Sequence, residues 1–253
     1  MNRLADKVAV MTRAEGEVSA EMAKLFADEG AYVVLVARDT QSLEELAEEI
    51  RDAQGDVLLL QAKEEEQESE CEQGEENELV KTILSECGQI DILVQNCDVF
   101  SDDEDASPRL SFEDQFALYE VTIAQEEKLA RQMLPYMEEG GAIVSITPAF
   151  AKSAKFDNDV NRPTLEMLIG HTEAVARKHA DADIRINVIC PAIHCAEDSV
   201  RDDDESQPRY SRRDRKDKEA NAEDLSNVAL FLASDESRAL NGQVLVTDFG
   251  TSL

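Results

Sequence analysis

The sequence predicts an α/β fold, a doubly wound parallel sheet of about seven strands with helices on both faces, in a single domain over residues 1–253. Three observations carry this. Short apolar, β-branched runs alternate with longer stretches whose apolar residues recur at helical spacing. A chain of 253 residues, 42% of them apolar, is long enough to close one large core. No linker rich in Pro or Gly divides it, and no short-period repeat is present.

Strands are expected at Lys7–Met11, Tyr32–Val36, Val57–Gln61, Ile90–Val94, Ala142–Ile146, Ile184–Ile189 and Gln243–Val246, runs of Val, Ile and Leu too short for helices. Helices are expected at Val18–Glu29, Ser42–Ala53, Glu76–Cys87, Glu113–Met137, Thr164–Ala180 and Ala222–Leu232. Residues 63–78 read as an acidic, insertion-like segment, and about 195–218 as a mobile loop.

The 25 Lys+Arg face 56 Asp+Glu, a net charge of −31, which repels phosphate backbones and anionic lipid heads; neither nucleic acid nor a membrane is an expected partner. Residues 63–78 hold nine Glu and one Lys, yet most of the excess lies elsewhere, with further runs at Asp102–Asp105 and Asp202–Glu205. This pattern is similar to proteins of salt-loving organisms, whose carboxylate surfaces stay hydrated while salt screens self-repulsion. A basic patch, Arg209–Lys218, stands against that background. No apolar run approaches the roughly 20 residues of a bilayer span, and MNRLADKVAVM leads into a strand without a cleavage signature, so a cytoplasmic location is expected. Five cysteines (Cys71, Cys87, Cys97, Cys190, Cys195) without C-x-x-C spacing suggest neither a disulfide framework nor a zinc knuckle, and no metal site is expected.

The order of landmarks resembles the short-chain dehydrogenase/reductase family over nearly the whole chain, on KVAVMT, AYVVLVARD, GQIDILVQNCDVF, MLPYM with GGAIVSIT, IRINVICPA and NAEDLSNVALFLASDESRALNGQVLVTDFG. The resemblance implies a Rossmann sheet that binds NAD(P). It also implies a first turn of the form T-G-x-x-x-G-x-G, with glycines for positive φ and for close approach of the backbone to a pyrophosphate. Here Thr12 is kept, but the glycine positions carry Arg13, Glu17 and Ser19, with Gly16 on a variable position. Side chains are expected to obstruct the usual pose, and the Glu17 carboxylate to repel a phosphate. Arg38, ending the second strand, resembles a residue that meets an NADP 2′-phosphate in some members; Arg38 and Asn96 are the candidates for cofactor contacts.

Family chemistry uses a Tyr acid/base, a Lys four residues later, a substrate-orienting Ser and a relay Asn. Counting from the landmarks, these positions fall on Asn161, Leu165, Pro148 and Thr122. Asn161 has no titratable proton near neutral pH, Pro148 no side-chain donor and Leu165 no charge. The resemblance therefore implies no catalytic residue at the usual positions. Among other constellations, His171 and His179 are too far apart for i, i+4 metal ligation, His194 beside Cys195 is the one suggestive pair, and Tyr210 has no evident activating partner.

Apolar stripes along Glu113–Met137 (Phe116, Leu118, Val121, Ile123, Leu129, Met133) and Thr164–Ala180 (Leu165, Met167, Leu168, Val175) match the helices through which the family associates. Together with the replaced tetrad they lead to the expectation of a non-catalytic structural subunit, paired with an active paralogue in a hetero-oligomeric NAD(P)-dependent dehydrogenase or forming a homo-oligomer, with cofactor in the partner and none in this chain. The alternatives are an NAD(P)-dependent oxidoreductase with an atypical site, or a cofactor-free enzyme using His194 and Cys195. A small-ligand sensor using the old pocket is the third reading.

Overall fold

A computed structural model describes residues 2–62, 78–96, 128–146, 162–191 and 220–247. In chain order the elements are β1 (Val8–Thr12), α1 (Glu17–Asp28), β2 (Tyr32–Ala37), α2 (Glu44–Asp52), β3 (Asp56–Gln61), α3 (Glu78–Cys87), β4 (Ile90–Asn96), β5 (Met137–Ile146), α4 (Arg162–Lys178), β6 (Arg185–Pro191), α5 (Ala222–Ala233) and β7 (Val244–Thr247). The strands form one seven-stranded sheet in the order β3-β2-β1-β4-β5-β6-β7. Every pairing is parallel.

Side-chain alternation along each strand divides the core in two. Ala9, Met11, Val33, Leu35, Val94 and Val144 face Met22 and Phe26 of α1, Ile50 of α2 and Leu230 of α5. Val8, Val10, Val34, Leu93 and Ile143 face the opposite layer, with Val80 and Ile83 of α3 and Ala176 of α4. Both faces of the inner strands are buried, which is why these runs read as continuously apolar rather than alternating.

Local signals set the helix ends. Gly30 takes φ 92° just past α1, where its N–H reaches Ala27 O at 2.9 Å and the Ala31 N–H reaches Phe26 O at 3.0 Å. A Cβ there would approach the Ala5 Cα to 3.2 Å, so the glycine also permits close packing. α5 opens on a reciprocal capping box, with Asp224 N–H donating to Asn221 Oδ1 at 2.8 Å and Asn221 N–H to Asp224 Oδ2 at 3.2 Å.

One expected helix is corrected at its end. Helical geometry stops at residue 133, Leu134–Tyr136 is a 3-10 turn containing Pro135, and Met137 already belongs to β5. Pro135 lacks the N–H that would continue the helix, which apolar spacing alone did not reveal. Met133 is fully buried, and Leu129 and Val175 pack against the same cluster, while Leu168 packs on Val188 and Cys190. These stripe residues thus serve the chain's own core; Phe116, Leu118, Val121 and Ile123 lie outside the described residues.

Candidate functional site

The strand order reverses between β1 and β4, the kind of switch point whose carboxyl ends border a crevice, and α1 follows directly on β1. Thr12 pairs with Gln95 at that edge. Beyond Thr12 the chain must turn sharply into α1, and Arg13 makes the turn in the left-handed region at φ 49°. A positive φ is the backbone requirement for which a glycine would be the ordinary choice, met here by a residue with a side chain.

Gly16 caps α1 in an extended conformation, without a side-chain cap. The first intrahelical bond runs from Ala20 N–H to Gly16 O at 3.0 Å, so the N–H groups of Glu17, Val18 and Ser19 have no partner within the helix. Such a terminus is suited to an anion. The exposed Glu17 side chain adds a carboxylate to the same turn.

Ser19 is buried, and its hydroxyl is held within the turn. Asn96 Nδ2 donates to Ser19 Oγ at 2.6 Å, and Ser19 Oγ donates to Arg13 O at 3.4 Å. This chain of bonds ties the end of β4 to the left-handed residue across the strand reversal. Below it lies a buried polar row: Ser145 Oγ donates to Gln95 Oε1 at 3.2 Å, and Thr12 Oγ1 to Val94 O at 3.4 Å. Buried polar atoms in contact with one another in this way fix strand register at the crevice floor.

The tip of β2 is held from two sides. Glu15 Oε1 accepts the Arg38 N–H at 2.7 Å, and Gln61 Nε2 donates to Arg38 O at 3.0 Å. Sequence reasoning singled out Arg38 and missed Glu15, which follows no periodic pattern; only the 23-residue contact brings it into view.

Of the sequence-predicted residues, Arg13, Glu17, Ser19, Arg38 and Asn96 therefore converge on one edge of the sheet. Leu165 lies in α4, whose side chains are described from residue 167 onward. Thr122, Pro148, Asn161, His194, Cys195 and Tyr210 lie outside the described residues, as do the acidic runs and the basic patch. His171 lies in α4 and His179 just beyond it. No group of three metal-ligating side chains occurs among the described residues. Burial pushes the Cys87 thiol up, aided by Glu86, which marks a structural rather than a nucleophilic cysteine. Among the described residues no helix is long and apolar enough to cross a membrane.

The family model described as enoyl-(acyl carrier protein) reductase matches residues 15–252. A 3-oxoacyl-[acyl-carrier-protein] reductase, FabG, of Thermotoga maritima is 26% identical over 252 residues, covering 98% of each chain. A mitochondrial borneol dehydrogenase of Lavandula x intermedia is 28% identical over 260 residues, covering all of this chain and 93% of that protein. The crystal structure of a dehydrogenase/reductase from Sinorhizobium meliloti 1021 superposes with a TM-score of 0.73 at 20% identity, over 99% of this chain and 96% of the other, and bears on the fold. These names correct the expectation of a non-catalytic structural subunit. Full-length relatives are named as reductases and dehydrogenases, nothing among them indicates a silent partner of an active paralogue, and the alternative of an oxidoreductase is the one they favour. The match over almost the entire length, on a seven-stranded parallel sheet, makes the chain a member of the short-chain dehydrogenase/reductase family.

Proposed function

We propose that the chain binds a nicotinamide dinucleotide across the carboxyl ends of β1, β2 and β4 and acts as an NAD(P)-dependent oxidoreductase with an atypical site. The observation that carries this reading is the β1–α1 turn. Arg13 adopts the left-handed backbone that the turn needs, and Ser19 directs its hydroxyl to Asn96 and the Arg13 carbonyl. The side chains that replace glycine in the family pattern are thus compatible with a backbone cradle.

The donor set fits a diphosphate. The N–H groups of residues 17–19 at the start of α1 would hold it. When bound, the reduced dinucleotide would supply hydride to a carbonyl carbon and the oxidised form would accept it from an alcohol carbon. The chain's own contribution at this edge is to orient: Asn96 and Ser19 fix the turn, and Gln95 with Ser145 fixes the floor. At the family's tetrad positions, Thr122, Pro148, Asn161 and Leu165 offer no acid/base couple, so proton transfer falls to another group or to solvent. That is the sense in which the site is atypical.

The test is titration of the purified full chain with NADH and NADPH, followed by quenching of the dinucleotide emission. Saturable quenching, with change in absorbance when carbonyl substrates are added, is expected. Absence of saturable binding by either dinucleotide overturns the reading.

A further inference from the structure

We infer that Glu15 sets the choice between the two nicotinamide dinucleotides, turning the site toward NAD(H) and against a 2′-phosphate; the inference rests on the dinucleotide-binding reading above. In open sheets of this kind the ribose of the bound nucleotide reaches the tip of the strand about 20 residues beyond the phosphate-binding turn, where a carboxylate receives the 2′-hydroxyl or a basic side chain receives a 2′-phosphate. The residue at that tip is Arg38, which alone would favour the phosphate.

The structure places a carboxylate there from another element. Glu15, in the β1–α1 turn, has its Oε1 2.7 Å from the Arg38 backbone nitrogen, whose N–H it accepts. The backbone donor that a phosphate oxygen would use is therefore already engaged by an anion. The next residue, Asp39, adds a second exposed carboxylate, with Oδ1 accepting from Gln41 N–H at 2.9 Å. A 2′-phosphate brings up to two negative charges to this pair, and repulsion at hydrogen-bond range outweighs attraction to a single exposed Arg38 side chain. A 2′-hydroxyl donates instead. A carboxylate has about four lone-pair sites, so the group that holds the Arg38 N–H can also accept from a ribose.

The experiment compares NADH and NADPH affinity of the full chain, wild type against Glu15→Gln, by fluorescence titration, with competition by 5′-ADP and 2′,5′-ADP as a readout independent of turnover. Glu15→Gln keeps an acceptor for the Arg38 N–H and removes only the charge. Wild type is expected to bind NADH about tenfold more tightly than NADPH, and the variant to bring the two within about threefold. Glu15→Ser, which removes the contact altogether, is expected to admit 2′,5′-ADP further. Equal or tighter NADPH binding by wild type, or an unchanged ratio in Glu15→Gln, overturns the inference while leaving dinucleotide binding intact. Binding of neither dinucleotide by wild type and variant overturns both.

Discussion

Arg185 and Ser237 are 52 residues apart in sequence, yet Arg185 Nη1 donates to the Ser237 hydroxyl at 2.6 Å in the interior. The same nitrogen donates to Leu232 O at 2.7 Å, and Nη2 to Ser234 O at 3.2 Å. One buried guanidinium thus serves the carbonyls left over at the end of α5, which lies beside the strands forming the crevice floor. Burial pulls the Arg185 guanidinium below its usual value, and Asp235 and Asp183 oppose that pull. Replacing it with Met removes these charge-assisted bonds and leaves Leu232 O and Ser234 O only the Ser237 donors, and a hydrogen bond to a charged group is worth about 1.5–3 kcal/mol. Arg185→Met is expected to lower unfolding free energy by about 3 kcal/mol in urea titration, and Arg185→Lys to recover less than half, because one ammonium cannot span the same acceptors. Wild-type stability in Arg185→Met would show that water satisfies these carbonyls.

The sheet was legible in the sequence because its inner strands are buried on both faces and leave unbroken Val/Ile runs; β2 and β4 begin where expected, at Tyr32 and Ile90. The Glu113–Met137 helix was read too long because apolar spacing continues through Met133, Leu134 and Met137 while the backbone changes state at Pro135. At the site, residue identity was legible and geometry was not. That Asn96 holds the Ser19 hydroxyl has no signal in the sequence, and Glu15 acquires meaning only through a backbone contact across 23 residues. Such contacts depend on the strand reversal, which no local pattern encodes. The expectation of a silent subunit, drawn from the tetrad positions, is corrected from outside the chain, by full-length relatives named as a reductase and a dehydrogenase.

The Asn96–Ser19 bond should matter for binding as well as for folding. Ser19→Ala removes the acceptor of Asn96 Nδ2 and the donor to Arg13 O in a buried turn, a loss of about 1–3 kcal/mol. Dinucleotide affinity is expected to weaken by about tenfold as the left-handed turn loosens, while Ser19→Gly, which also relieves crowding, is expected to weaken it less. Titration of both variants checks the order. Equal affinity in wild type and Ser19→Ala would mean that the turn is held by other contacts.

If Asn161 and Leu165 occupy the acid and cation positions of the family pattern, restoring both should restore proton transfer. The double variant Asn161→Tyr with Leu165→Lys is expected to raise turnover of a carbonyl substrate by about 10²-fold or more, since a positioned acid/base group contributes on that scale. Either single substitution should do far less, because the Tyr needs the neighbouring charge to lower its pKa. Initial rates across pH 6–10 provide the check. An additive response of the two single variants would show that the positions do not cooperate.

Acid should loosen the N-terminus at a defined pair. Arg3 donates to Glu29 from Nη2 at 2.8 Å, from Nε at 3.1 Å and from its backbone N–H at 2.9 Å. The Arg3 side-chain bonds, and then its backbone bond and charge, hold the Glu29 carboxyl below its usual value against the opposing effect of burial. A carboxylate whose folded pKa is depressed contributes its stability above the unfolded value, near 4.5, and loses it as pH falls through the folded value. Glu29→Gln is therefore expected to be less stable than wild type at pH 7, by up to ~1 kcal/mol for a pair near the surface. The two should converge as pH falls from about 4.5 through the folded value. A difference that persists undiminished at pH 3 would assign the effect to packing rather than charge.

The net charge of −31 predicts a dependence on salt that these local pairs do not. With 25 Lys+Arg against 56 Asp+Glu, one-to-one pairing cannot neutralise the carboxylates, so the excess negative charge acts as mutual repulsion. Repulsion of that kind favours the expanded chain and is screened over a Debye length that shrinks from about 10 Å at 0.1 M to about 3 Å at 1 M. The melting temperature is expected to rise by about 5 °C or more between 0.1 M and 1 M KCl, as screening worth roughly 2 kcal/mol would produce in a chain of this size. Choline chloride at the same ionic strength should give a similar rise, because screening depends on ionic strength and not on the cation. A rise with KCl alone would point to specific potassium binding by carboxylates, and a flat response in both salts would show that the acidic surface does not strain the fold.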